Sequence, residues 1–270
     1  MIPPLLWVVL LAPPTFAPDT PVGLRCLVES YPDLLCGADA TTLRWCDGVD
    51  MPWRTRAAPP TDLEAHLDTA DLFDQMADAY PVGPVFATPP PGDPGRMRHA
   101  PFFKKMYGED RAAVGARLGT VRWLRGTVDL PLKVSTVNGA DRALQAVSDE
   151  LEGLPAASRR FVEKPSGTFV WRTVKGTRRL SMHSFAVSID VGVALSDYWK
   201  WVKPDAQGKR PYRNRFPMQV VEIFERHGFI WGGKWAHFDT MHFEYRPELL
   251  HPACAASTPT TPRPAGSGPG

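Results

Sequence analysis

From residue 185 to 193 apolar and polar positions alternate, with Val187, Ile189 and Val191 on one face and Ser188 and Asp190 on the other. A period of two predicts a half-buried β-strand. Other β-rich runs lie at 120–124, 130–136, 167–173 and 240–245. A helical period governs 139–151, where Leu144, Val147 and Leu151 share one face. Pro217 opens a second amphipathic run, with Val220, Val221, Ile223 and Phe224 as its buried stripe, and Gly228 closes it. Proline at the start and glycine just past the end is the usual punctuation of a helix. Thr61-Asp62-Leu63-Glu64 reads as a capping box, because the Thr61 hydroxyl and the Glu64 carboxylate can satisfy free backbone N–H groups. With Leu63, Leu67 and Phe73 it predicts a helix over 62–77, and a short helix is expected near 110–118.

Breakers separate these runs. The stretch TPPPGDPG at 88–95 excludes helix and central strand and is expected as a surface loop or linker. Residues 20–60 read as loop-rich, with Trp45 and Trp53 among turn residues. From Ser257 onward the chain is low-complexity and expected to be disordered. Strands and helices mix without regular βαβ alternation. The expected class is therefore α+β, a small and mainly antiparallel sheet flanked by helices, with a loop-rich N-terminal extension. The expected division is a leader at 1–17, an extension packed on the core at 18–110, the main domain at 111–252 and a tail at 253–270.

Composition narrows the function classes. A formal net charge of +2 with no strongly basic run lacks the footprint of a nucleic-acid binder. The apolar run Leu5 to Leu11 is too short to span a bilayer. It suits the apolar core of a secretory signal, with Thr15-Phe16-Ala17 as the cleavage pattern, although no Lys or Arg precedes it and Pro18 follows the bond. A periplasmic or secreted monomer without a stable membrane span is expected. Cys26, Cys36, Cys46 and Cys254 are spaced too widely for a structural zinc site. Export favours two disulfides, for which four cysteines allow three pairings.

Of seven histidines, His66, His99, His227 and His251 read as structural or surface residues. His183, His237 and His242 are accompanied by acidic residues. Zinc accepts imidazole nitrogen and carboxylate oxygen, and a catalytic site keeps three protein ligands and an open position. His183, Asp190 and His242 are the candidate ligands. Asp239 is the candidate general base, and Glu244 shares the strand face of His242 and can orient it. His237 is a candidate for stabilising a tetrahedral intermediate. Trp231 and Trp235 can line a cleft that Gly232 and Gly233 let a ligand approach closely. The competing reading of the same residues is two hydrogen-bonded loop histidines and an Asp190 that caps or forms an ion pair.

Ser181-x-His183-x6-Asp190, followed by Asp239-x-x-His242-Phe-Glu, resembles the LAS zinc peptidases. That family contains VanY-type D-alanyl-D-alanine carboxypeptidases and phage L-alanyl-D-glutamate endolysins. The resemblance extends over about 119–250, including GTFVWR (167–172), SDYWKW (196–201) and IWGGKWAHFDTMHFEYRPELL (230–250). It implies one Zn2+ per chain on His183, Asp190 and His242, with Asp239 as base. It also implies a DD-peptidase or hedgehog-like sheet and a peptidoglycan stem peptide as substrate. Ser181, Arg179, Trp235 and His237 are the expected substrate contacts.

Two positions depart from the family pattern SxHxxGxAxD, and a third departs from an arginine usual after an earlier strand. Ala186 replaces its glycine, which is tolerable if φ is negative, and Ser188 replaces its alanine. Asn138 stands where many members carry an arginine that clamps substrate carboxylate, so that role passes to Arg142 or Arg179 or is lost. Two other classes stay open: a non-catalytic zinc-binding module of the same fold, as in hedgehog signalling domains, and a disulfide-stapled wall-binding protein without zinc.

Overall fold

The computed structural model describes residues 13–84 and 92–257. Most of the expected leader, the prolines of 88–91 and the tail beyond Ser257 lie outside the described residues. The protein is mixed helix and strand, with small, mainly antiparallel sheets flanked by helices.

The sheet that positions the chemistry has three antiparallel strands, in the order Ser188–Asp190, His242–Tyr245, Phe229–Trp231. Phe243 lies opposite Ile189 on one side and Trp231 on the other. This face packs on the Met218–Arg226 helix, whose Phe224 stacks on Phe243 with ring centroids 3.8 Å apart. Val220, Val221 and Phe224 are fully buried there. Burying each such side chain is worth about 1.5–3 kcal/mol, enough to lock the strand's facing. Because side chains alternate along a strand, His242 and Glu244 must then point to the opposite face, with Asp190 and Ser188 as cross-strand neighbours.

A second hairpin pairs Leu118–Trp123 with Leu130–Ser135, and the Ala140–Glu152 helix buries Leu144, Val147 and Leu151, as its period predicts. Two other expectations change. Residues 167–173 form no strand beyond a single bridge, Thr173 to Leu180. Their backbone bonds go instead to a 3-10 turn: Val170 N donates to His183 O and Arg172 N to Ser184 Oγ. Residues 62–77 form two helices, Leu63–Thr69 and Leu72–Ala77. Asp62 rather than Thr61 caps the first; the reciprocal capping box sits at Asp71 and Asp74 and starts a new helix.

The N-terminal extension is loop-rich but holds the Val22–Ser30 helix and the strands Leu35–Ala38, Thr42–Trp45 and Asp50–Pro52, which Thr15–Phe16 of the expected leader joins at one edge. Thr15–Phe16 pairs with Gly37 and Ala38, and a Cβ at Gly37 would lie 2.4 Å from the Thr15 carbonyl oxygen, so this contact requires glycine. The cysteines pair as Cys26–Cys254 and Cys36–Cys46. Phe102 and Phe103 of the Ala100–Tyr107 helix pack against Trp45 on one side and Phe185 on the other. One continuous hydrophobic cluster runs from Leu24 to Phe243. No described helix is long and apolar enough to cross a membrane.

Candidate metal centre and active site

His183 lies in the 3-10 turn Met182–Phe185, and Ala186 follows at φ 56° and ψ 35°. This left-handed residue reverses the chain into the Ser188–Asp190 strand. The condition set above for an alanine here, a negative φ, is not met. An L-residue in that region costs about 1–2 kcal/mol, partly offset by the entropy a glycine loses on folding. Ala186→Gly should therefore raise stability by about 0.5–1 kcal/mol in urea unfolding. The buried Ser188 hydroxyl has no hydrogen-bond partner among the described residues. Ser188→Ala should be neutral or stabilising by about 1 kcal/mol, since it removes an unsatisfied polar atom. A loss of more than that in either variant would mean that the native residue makes a contact not accounted for here.

The antiparallel register sets His242 directly opposite Asp190. His242 Nδ1 lies 2.9 Å from Asp190 Oδ1, and His183 Nε2 lies 3.2 Å from Asp190 Oδ2. One donor atom from each of the three residues falls within 4.8 Å of the other two. Tetrahedral zinc with bonds of about 2.0–2.1 Å needs nitrogen and oxygen donors crowded in this way. His183 Nε2 is buried in a geometry that leaves it without a hydrogen bond, and Asp239 Oδ1 is likewise buried and unpartnered. Both residues line one cleft, and a buried polar atom left without a bond is costly unless something satisfies it. The donor set and these orphaned atoms fit a zinc ion.

The remaining nitrogen of His242, Nε2, is 3.1 Å from Glu244 Oε2. Glu244 also accepts from Arg98 Nη2 at 2.6 Å and Arg246 Nη1 at 3.0 Å. Arg246 Nε donates to Glu248, which accepts from the Tyr31 hydroxyl. Glu244, Arg246 and Glu248 are all fully buried. Burial would raise the Glu244 carboxyl, but Arg98, His242 and Arg246 hold it well below the usual carboxylate range. Burial disfavours a charged His242, yet Asp190 and Glu244 outweigh this and raise it to about 9. Asp190 is likewise opposed by burial and drawn down by its two imidazoles.

Asp239 sits in the loop between the Phe229–Trp231 and His242–Tyr245 strands. Gly232 and Gly233 serve the closure of this loop: a Cβ on Gly232 would lie 2.6 Å from Asp239 O, and one on Gly233 2.2 Å from the Trp231 ring. Trp231 is fully buried, and its Nε1 donates to Thr240 O, so it is a core residue and not a cleft wall. Trp235 and Ser181 do line the cleft around His183, Asp190, Asp239 and His242.

Arg179 and His237 do not. Arg179 is held by Glu64 and Asp68, each at 2.6 Å, and His237 turns its Nδ1 onto Asp93 at 2.6 Å and its ring onto Trp199. Asn138 has φ 55°, a backbone setting that asparagine tolerates, and its Nδ2 donates to Met106 Sδ. The cations of the cleft come from elsewhere: Arg96 and Arg98 from the extension, and Arg172, Lys175 and Lys200 on the rim. Arg172 ends the GTFVWR run and Lys200 lies in SDYWKW, but Arg96, Arg98 and Lys175 stand in no run that the sequence marks. Their signal lies in the fold, which brings residues 96–98 across the 230–246 segment.

A His/Asp/His group that could hold a metal ion thus forms where a 3-10 turn meets an antiparallel sheet, with the Asp239 carboxylate in the same cleft. Residues 175–245 match the family described as D-alanyl-D-alanine carboxypeptidase. The matched segment holds His183, Asp190, Asp239 and His242. No curated protein and no solved structure matches the chain.

Proposed function

We propose that the protein is a zinc peptidase of bacterial cell-wall stem peptides, with His183, Asp190 and His242 as metal ligands and Asp239 as general base. The observation that carries this reading is the convergence of one donor atom each from His183, Asp190 and His242 within 4.8 Å of one another, with the buried, unpartnered Asp239 Oδ1 in a residue that lines the same cleft. Bound there, zinc would supply Lewis acidity, which makes water nucleophilic near neutral pH and polarises a peptide carbonyl. Asp239 takes the proton of the attacking water and hands it to the leaving amine. Glu244 fixes the ring of His242 through Nε2, which leaves Nδ1 for the metal.

Ser181 and Trp235 contact the peptide. Arg172 is exposed, lines the cleft and has no side-chain partner among the described residues, so it is free to clamp a substrate carboxylate in place of Arg179. Export is the compartment reading that two disulfides support.

The test is digestion of purified muropeptides with and without chelator, read by mass spectrometry. Release of D-alanine or of a new stem-peptide amine is expected, lost with chelator and restored by zinc. Stoichiometric zinc without any cleavage would leave the non-catalytic module of the same fold.

A further inference from the structure

Outside the matched segment, residues 92–98 run as a strap across the loop that carries Asp239, and bonds on both sides hold that loop. From the strap, Gly92 O accepts from Ala236 N at 2.8 Å. Asp93 Oδ1 accepts from His237 N at 2.9 Å, and its Oδ2 faces His237 Nδ1 at 2.6 Å. Arg96 donates to His237 O and lies over the Trp235 ring, 4.6 Å from its centroid. Three successive residues, Trp235 to His237, are thus gripped just before the base. Asp93 is buried, and its own N–H is anchored on Asp78 Oδ2 at 2.8 Å. On the far side His237 packs edge-on against Trp199 at 4.5 Å, Trp199 N donates to Phe238 O at 2.9 Å, and Tyr198 bridges Asp239.

We propose that Asp93 is a positioning residue for the peptidase centre: its paired bonds to His237 latch the Asp239 loop at its working distance from the metal ligands. This rests on the peptidase reading above. Within the loop, Trp235 N and Asp239 N both donate to Gly232 O, at 3.3 and 2.9 Å, and the loop must hold a carboxylate whose Oδ1 makes no bond among the described residues. The placement of Ala236 to Phe238 between those two anchors depends on neighbours. A bidentate carboxylate on one residue's main-chain and ring nitrogens fixes both the position and the rotation of that residue, two places before the base. Arg96 makes the same strap a cleft wall, so the extension belongs to the centre and not to a separable cover.

The experiment compares zinc-loaded wild type, Asp93→Ala, Asp93→Asn and His237→Gln by muropeptide kinetics, zinc content and hydrogen exchange of the 232–241 amides. Asp93→Ala should exchange faster in that loop and lose kcat about 100-fold, the scale of an ångström-sized misplacement, with KM within about three-fold and zinc retained. Asp93→Asn keeps an acceptor for the His237 N–H and should recover part of kcat. His237→Gln keeps the main-chain bond and should fall between wild type and Asp93→Ala; it also carries the test if Asp93→Ala does not fold. Unchanged loop exchange or unchanged kcat in Asp93→Ala overturns the latch, as does loss of zinc in place of loss of kcat. Absence of turnover in wild type refutes the peptidase reading, and the exchange data then still decide whether the latch exists.

Discussion

Replacing Asp239 with alanine is expected to leave zinc bound and to lower kcat by about 10³-fold, within the range for loss of a positioned general base. The argument is geometric first. Asp239 lines the same cleft as the three ligands, three residues before His242, and its Oδ1 is buried without a partner. Burial pushes its carboxyl above the usual range; His242 pulls it down and the Asp190 charge pushes it up again. A carboxylate made more basic in this way is better matched to taking a proton from water near neutral pH. A structural carboxylate with a buried oxygen would have found donors, as Asp93 and Glu244 have. Asp239→Asn preserves shape and should be as inactive, which separates proton transfer from packing. Turnover within about ten-fold of wild type in either variant, with zinc still bound, would remove Asp239 from the proton path.

The elements that were legible in the sequence are those with many turns of one period. Thirteen residues of the Ala140–Glu152 helix and nine of Met218–Arg226 repeat their apolar stripe often enough to be unambiguous. The strands of the central sheet run three or four residues, too short for alternation alone to separate them from the turns beside them. Residues 167–173 show the cost: their β-rich composition reflects packing against the 182–185 turn and not a ladder.

The candidate ligand set could be drawn from the sequence because its chemistry is local in two short segments. Its geometry could not, because the Asp190–His242 contact depends on a cross-strand register over a separation of 52 residues. The cleft's cations were hidden for a related reason. Arg98 reaches Glu244 across 146 residues, and nothing near Arg98 in sequence announces that contact. Arg179, by contrast, looked available only because Glu64 and Asp68, its partners, lie 115 and 111 residues away. Ala186 is a further case: a motif position tells that glycine is usual but not that φ is positive.

Removing the Glu244 carboxylate should damage both stability and metal affinity, and the two losses have separate physical origins. Glu244→Ala leaves Arg246, fully buried, with one of its two carboxylates, and leaves Arg98 at the cleft without its carboxylate. Breaking a buried charge pair from one side costs about 3–5 kcal/mol, because the surviving charge stays desolvated. The same substitution frees His242 Nε2, so the ring proposed to present Nδ1 to a metal loses its tautomer and its orientation. Loss of such a supporting contact typically weakens metal binding by about 10–100-fold.

Arg98→Met divides the two effects. It removes one cation while Glu244 keeps both His242 and Arg246, so zinc affinity should stay within about three-fold of wild type by the same reasoning. Urea unfolding of the zinc-free proteins and competitive zinc titration measure the two quantities independently. If Glu244→Ala lost stability but kept its zinc affinity, His242 would be held by Asp190 alone. The Glu244–Arg246–Glu248 cluster would then be scaffolding for the Tyr31 helix and not an outer layer of the metal site.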